Sequence, residues 1–110
     1  MRGLVGSEGR ARHLADILKA LGHASRLRIV AVLCEGEETV GEIAGKLDLP
    51  QAIVSQQLRI LRMSGLVEAS RVKGFARYRL AQPRLRELLR CLEGCPVRGP
   101  AAEAAKGGQG

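Results

Sequence analysis

The sequence predicts a mainly α-helical domain of about five helices with a two-stranded β-hairpin set before the last of them. Three observations carry this. Apolar residues recur at i, i+3, i+4 and i+7 through most of the chain; the period drops to two after Gly65; and positive charge is concentrated in the stretch that contains both the longest polar-faced helix and the hairpin. The chain has 110 residues and a net charge of +7, which suits one core and leaves no room for a second domain. Residues 10–95 are expected to form that domain, with residues 1–9 and the Gly- and Ala-rich residues 96–110 disordered.

Leu14, Ile17, Leu18 and Leu21 form the stripe of a first helix, closed by Gly22 and His23. Ser25 is a cap for a second helix, in which Leu27, Val30, Ala31 and Cys34 repeat the spacing while Ile29, Val32 and Leu33 widen it into a core-facing surface. Thr39 followed by Glu42 is a capping box that opens a short third helix with Val40, Ile43, Ala44 and Leu47 inward. Asp48 and Leu49 make the turn, and Pro50 occupies the first position of a fourth helix running to Ser64. Ile53, Val54, Leu58, Ile60 and Leu61 cover one side of that helix, and Gln51, Ala52, Ser55, Gln56, Arg59 and Arg62 gather on the other. Leu66 to Val72 and Phe75 to Leu80 read as strands joined by Lys73-Gly74. Pro83 starts a last helix with the stripe Leu85, Leu88, Leu89 and Leu92.

A short capped helix, a tight turn and a longer helix with a small polar face make a helix-turn-helix, and the adjoining basic hairpin makes it winged. Residues 51–90 carry nine basic and two acidic side chains, whereas residues 31–50 carry one and five. Arginine-rich charge of this kind is the footprint of a polyanion-binding face. A helix enters the major groove of duplex DNA only if its outer side chains are short or hydrogen-bonding. Gln51, Ala52, Ser55, Gln56 and Arg59 are therefore the expected base-reading residues, with Gln56 matched to adenine. Thr39, Arg62, Arg71, Lys73, Arg77 and Arg79 are the expected phosphate contacts, which supply affinity but little sequence information. Two aromatics, Phe75 and Tyr78, are too few to stack unpaired bases. An apolar wedge at the hairpin tip is not expected, which disfavours a sequence-blind architectural binder. No nucleophile triad, carboxylate pair or phosphate-cradling loop suggests an enzyme. The rival readings are a winged-helix module for a protein partner and a regulator without thiol sensing. The longest apolar run, Ile29 to Cys34, is far too short to cross a membrane, so a cytoplasmic protein is expected.

The two terminal stripes, Leu14/Ile17/Leu18/Leu21 and Leu85/Leu88/Leu89/Leu92, exceed what a three-helix core and a wing cover, so a homodimer through the first and last helices is expected. The alternative is that both pack on the second helix. A two-fold dimer sets its reading helices about 34 Å apart and calls for a palindromic site.

The runs Leu18 to His23, Arg26 to Ile29, Glu37 to Leu47, Val54 to Leu58, Ser64 to Val67 and Arg77 to Leu80 resemble the ArsR/SmtB family of bacterial winged-helix repressors over roughly residues 14–92. The resemblance implies a homodimer that binds an operator palindrome and leaves it when an inducer arrives. Ala24 stands where the family usually has proline, and Gln57 stands where histidine is frequent; the glutamine there resembles the branch that responds to sulfide and persulfide. Relatives that sense zinc through the last helix use Asp, His and Glu, and here that helix offers only Glu87 and Glu93. Relatives that sense soft metals beside the reading helix place cysteines there, and Thr39 to Ser64 has none. That leaves Cys34, Cys91 and Cys95 as the inducer site. No cofactor is required. Three thiolates suit arsenite or another thiophilic ion, and two of them, Cys34 with Cys91 or Cys95, suit bridging by a persulfide or an oxidant if their Cα atoms come within about 4.4 to 6.8 Å. The persulfide-responsive branch has its cysteines near Ala31 and slightly beyond Cys95, a displacement that antiparallel helices would tolerate. Cys34 on its own also fits a buried small hydrophobe.

Overall fold

The computed structural model describes residues 1–96; residues 97–110, with all but the first residue of the expected tail, lie outside them. The chain forms helices α1 (Arg2–Gly6), α2 (Glu8–Leu21), α3 (Ala24–Cys34), α4 (Val40–Leu47), α5 (Gln51–Met63) and α6 (Leu85–Glu93) and a small antiparallel sheet of β1 (Glu38–Thr39), β2 (Val67–Val72) and β3 (Phe75–Leu80) in the order β1-β3-β2, which packs on α3, α4 and α5.

The amino terminus differs from expectation. Helical backbone begins far upstream of Leu14, because Ser7 Oγ accepts from the Arg10 amide and Glu8 pairs with Arg12 one turn on, at 3.0 Å. These are local polar contacts with no apolar period to betray them, and α1 buries nothing. The cap of α3 is also reassigned: His23 is the extended residue, and its Nδ1 accepts from the Ser25 amide at 3.2 Å. The face of α3 that enters the core is Ile29, Val30 and Leu33, while Leu27 and Ala31 are exposed and Cys34 is half-buried.

The capping box on α4 is complete: Thr39 Oγ1 accepts from the Glu42 amide and Glu42 Oε1 accepts from the Thr39 amide. Thr39 also belongs to β1, a strand the acidic turn gave no sign of, paired Glu38 to Tyr78 and Thr39 to Arg77. The sheet is thus three-stranded. Burial of Glu38 in it is compensated by an ion pair with Lys46. At the end of α4, Asp48 adopts the left-handed conformation (φ 55°), a turn residue that asparagine and aspartate tolerate. Pro50 then sits one place earlier than expected, as the extended residue before α5.

Val54, Leu58 and Leu61 of α5 meet Ile29 and Val30 of α3, Ile43 of α4 and Leu66 in a core from which solvent is excluded. The hairpin closes on Lys73 (φ 52°) and Gly74 (φ 83°), the doubly positive pair of a type I′ turn, with Val72 opposite Phe75. Last, α6 starts at Leu85, two residues after Pro83, which lies in the turn leading into it. The terminal stripes divide. Leu21 and Leu85 belong to the core of the single chain; Leu14, Ile17, Leu88 and Leu89 are half-buried, and Leu18 and Leu92 are exposed.

Candidate nucleic-acid interface

The outer face of α5 follows from its period: with Val54, Leu58 and Leu61 inward, Gln51, Ala52, Ser55, Gln56, Arg59 and Arg62 all emerge exposed. Every base-reading residue expected from the sequence is therefore on one accessible surface. The helix is held from behind. Arg26 of α3 donates through Nε to the Ala20 carbonyl at 2.6 Å and through Nη1 to Gln57 Oε1 at 3.1 Å, tying α2, α3 and α5 together. Arg28 donates to the Leu47 carbonyl, a C-terminal acceptor of α4 that would otherwise lack an intrahelical partner. Nothing local in the sequence marks these two arginines as scaffold; the contacts do.

The wing sorts its basic residues into two groups. Arg71 donates to the Gly74 carbonyl at 3.0 Å, bracing the turn, and Lys73 stands exposed at the tip. Arg77 instead donates to the Glu37 carbonyl at 3.0 Å and lies 3.7 Å from Glu42, fastening β1 to β3. Arg79 donates to Glu68 at 2.9 Å and to Ser70 at 3.0 Å across the hairpin. Of the expected phosphate contacts, Arg62, Arg71 and Lys73 are exposed, Arg77 and Arg79 already hold internal partners, and the Thr39 hydroxyl accepts in the helix cap. The expectation of a wing tip without apolar surface is overturned, because Phe75 is 68% and Val72 45% exposed, side by side at its end.

The three thiols do not converge. Cys34 borders a groove of about 270 Å³ between α3 and α6, lined also by Ala31, Arg86, Leu89, Arg90 and Glu93. Burial pushes the Cys34 thiol above its ordinary range, and the nearby Arg86 opposes that only in part. Arg86 Nε donates to the Cys34 carbonyl at 2.8 Å, locking α6 to the end of α3. Cys91 and Cys95 are exposed and are not part of this groove. Cys91 is five residues past Arg86, roughly 140° around the helix, and so faces away from it. Among the described residues no three His, Cys, Asp or Glu side chains gather as metal ligands. A three-thiolate site within one chain, one of the two arrangements left open by the sequence, is not formed among the described residues. No helix among the described residues is long and apolar enough to cross a membrane.

Comparison with known proteins places this geometry. Residues 23–69, from the cap of α3 into β2, match the model of the bacterial regulatory protein, arsR family. The biofilm growth-associated repressor of Agrobacterium fabrum is 41% identical over 85 residues, 77% of this chain and 73% of that protein. The transcriptional repressor BigR from Xylella fastidiosa superposes with a TM-score of 0.73 at 39% identity, over 82% of this chain and 94% of that one. The homodimeric winged helix-turn-helix DNA-binding domain Mb0332 from Mycobacterium bovis does so with a TM-score of 0.70 at 31% identity, over 79% and 83%. These relatives are transcriptional regulators, not enzymes. A helix pair with an exposed polar second member, a braced basic wing and this degree of likeness admit one conclusion: the chain belongs to the ArsR family of bacterial regulatory proteins.

Proposed function

We propose that the protein is a dimeric transcriptional repressor that reads a palindromic operator through α5 and is released from it by modification of its thiols. The observation that carries the DNA reading is the unobstructed face of Gln51, Ala52, Ser55, Gln56 and Arg59, short or hydrogen-bonding side chains on a helix anchored by Val54, Leu58 and Leu61. Arg62, Arg71 and Lys73 hold the flanking phosphates. Arg77 and Arg79 join them only by giving up their internal partners, the Glu37 carbonyl and Glu42 for Arg77 and Glu68 and Ser70 for Arg79. The half-covered stripes on α2 and α6 border a groove of about 380 Å³ in which Leu14, Ile17 and Leu88 take part, and a second copy covers it.

For the inducer, the scattered thiols favour sulfur or redox chemistry over arsenite, since a soft ion wants three converging ligands. Cys91, exposed on α6, and Cys95, exposed two residues past its end, are the thiols that meet a reagent first, and α6 is also a dimer helix in this reading. Cys34 joins them only after α6 turns or moves.

One experiment tests both halves. Duplexes enriched from a randomised library by the whole protein are expected to contain an inverted repeat with half-sites one helical turn apart. Titration of that complex with an organic persulfide is expected to release the DNA, and the Cys91→Ser/Cys95→Ser protein to bind equally well and stay bound. Enrichment of no duplex ends the DNA reading; release of the double variant by persulfide ends the thiol reading.

A further inference from the structure

We infer that the groove between α2 and α6 binds a single-chain amphipathic anion, a free fatty-acid carboxylate, and that this ligand takes the place of the second copy. The displacement rests on the proposed dimer; the site itself does not. The groove, about 380 Å³, falls within the range of small-molecule sites, which combine an apolar lining with a few polar groups. Its floor is aliphatic throughout, with Leu66 and Leu85 buried in the core beneath it. Its polar members, Arg10, His13, Gln82 and Arg84, are all exposed.

Charge decides the occupant. No residue lining the groove is acidic, and among the described residues none of Arg10, His13 and Arg84 forms an ion pair. Arg26, Arg77, Arg79 and Arg86 differ, each bracing the fold by donating to a carbonyl or a carboxylate. The groove therefore presents positive charge beside aliphatic surface, and the chain supplies no match for the charge. Its complement is an anionic head on an aliphatic body. Guanidinium groups take a carboxylate bidentately, and the Gln82 amide adds a neutral donor. Duplex DNA matches the charge but not the floor; a second copy matches the floor but brings the same cations with it. Shape agrees. Arg10 and Leu14 also border a second groove, shared with Met1, Gly3 and Leu4, so the apolar path runs on along α2, as a chain requires. A ligand that binds this face only when the second copy is absent shifts the protein toward single chains by its differential affinity. The operator is then released without any reaction at the thiols.

Isothermal titration of the whole protein with decanoate, decanol and decyltrimethylammonium tests the site, and sedimentation velocity with operator binding in the same solutions tests the displacement. Decanoate is expected to bind once per chain, about tenfold or more tighter than the neutral or cationic probe, and to turn dimers into monomers as it frees the DNA. Arg10→Gln/Arg84→Gln is expected to weaken decanoate binding about tenfold, to leave decanol affinity as it was, and to raise in proportion the decanoate needed for release. Equal affinity for the three probes, or undiminished decanoate binding by the double variant, overturns the site. So does binding to phosphatidylglycerol vesicles without binding of free decanoate, which would give the groove to a lipid surface. Saturation with decanoate that leaves the dimer on its operator overturns the displacement. A wild-type protein that is monomeric before any probe is added removes the dimer reading and leaves the site to stand on its titration.

Discussion

At the residue scale, two neighbours on α5, Gln56 and Gln57, show how position decides the use of one side chain. Gln57 is half-buried and accepts from Arg26, so its amide is committed to holding α5 in place. Gln56, one step round the helix, is exposed and keeps both donor and acceptor for a base edge. Gln56→Ala is expected to relax base preference at one operator position, at a cost of about 1 to 3 kcal/mol there and little on other sequences. Competitive binding against operators varied one base pair at a time measures this, and equal weakening on every duplex would remove Gln56 from the reading set. Helical period was enough to predict the exposed set from the sequence. It could not predict that Arg26, Arg77 and Arg79 would find internal partners, because those contacts join segments up to forty residues apart in the chain.

At the scale of elements, the chain is most legible where structure is encoded locally. The capping box at Thr39, the left-handed turn at Asp48 and the Lys73-Gly74 hairpin each depend on residues no more than four apart, and each was readable. Strand β1 was not, since two residues in an acidic turn have no alternation and exist as strand only by pairing with β3. The α3 cap shifted to His23 for a similar reason: the exit of α2 at Leu21 decides which residue is extended. The box at Thr39 has a consequence for acid stability. The Thr39 amide donating to Glu42, reinforced by the Thr39 hydroxyl and by Arg77, holds the Glu42 carboxyl below the ordinary glutamate value of 4.5. A carboxylate held low in the folded state stabilises it fully above that value, and the contribution disappears as pH falls through the lowered one. The Glu42→Gln protein is thus expected to show a smaller drop in urea midpoint between neutral pH and the acid side of 4.5 than the wild type does. Equal drops in the two proteins would mean that other carboxylates carry the acid response.

For the whole molecule, the single chain leaves its two ends unfinished. Leu18 on α2 is 56% and Leu92 on α6 46% exposed, while Leu21 and Leu85 on the same helices are buried within the chain. The sequence grouped all eight leucine and isoleucine positions as interface; the fold divides them, because a helix stripe wide enough to pack on two sides reads in sequence like one that packs on one. The exposed members can be altered without emptying the core. Leu18→Glu with Leu92→Glu is therefore expected to preserve the fold, seen as an unchanged helical spectrum, and to convert the protein to a monomer in sedimentation velocity. Charge placed at both ends repels the second copy from the surface it would have covered. Each half-site contact then has to form on its own, and the gain from joining them, about 10² to 10⁴ in affinity for linked sites, disappears on a full palindrome while binding to an isolated half-site barely changes. A variant that stays dimeric would move the interface away from α2 and α6, and the spacing of the two reading helices would have to be derived from another face of the molecule.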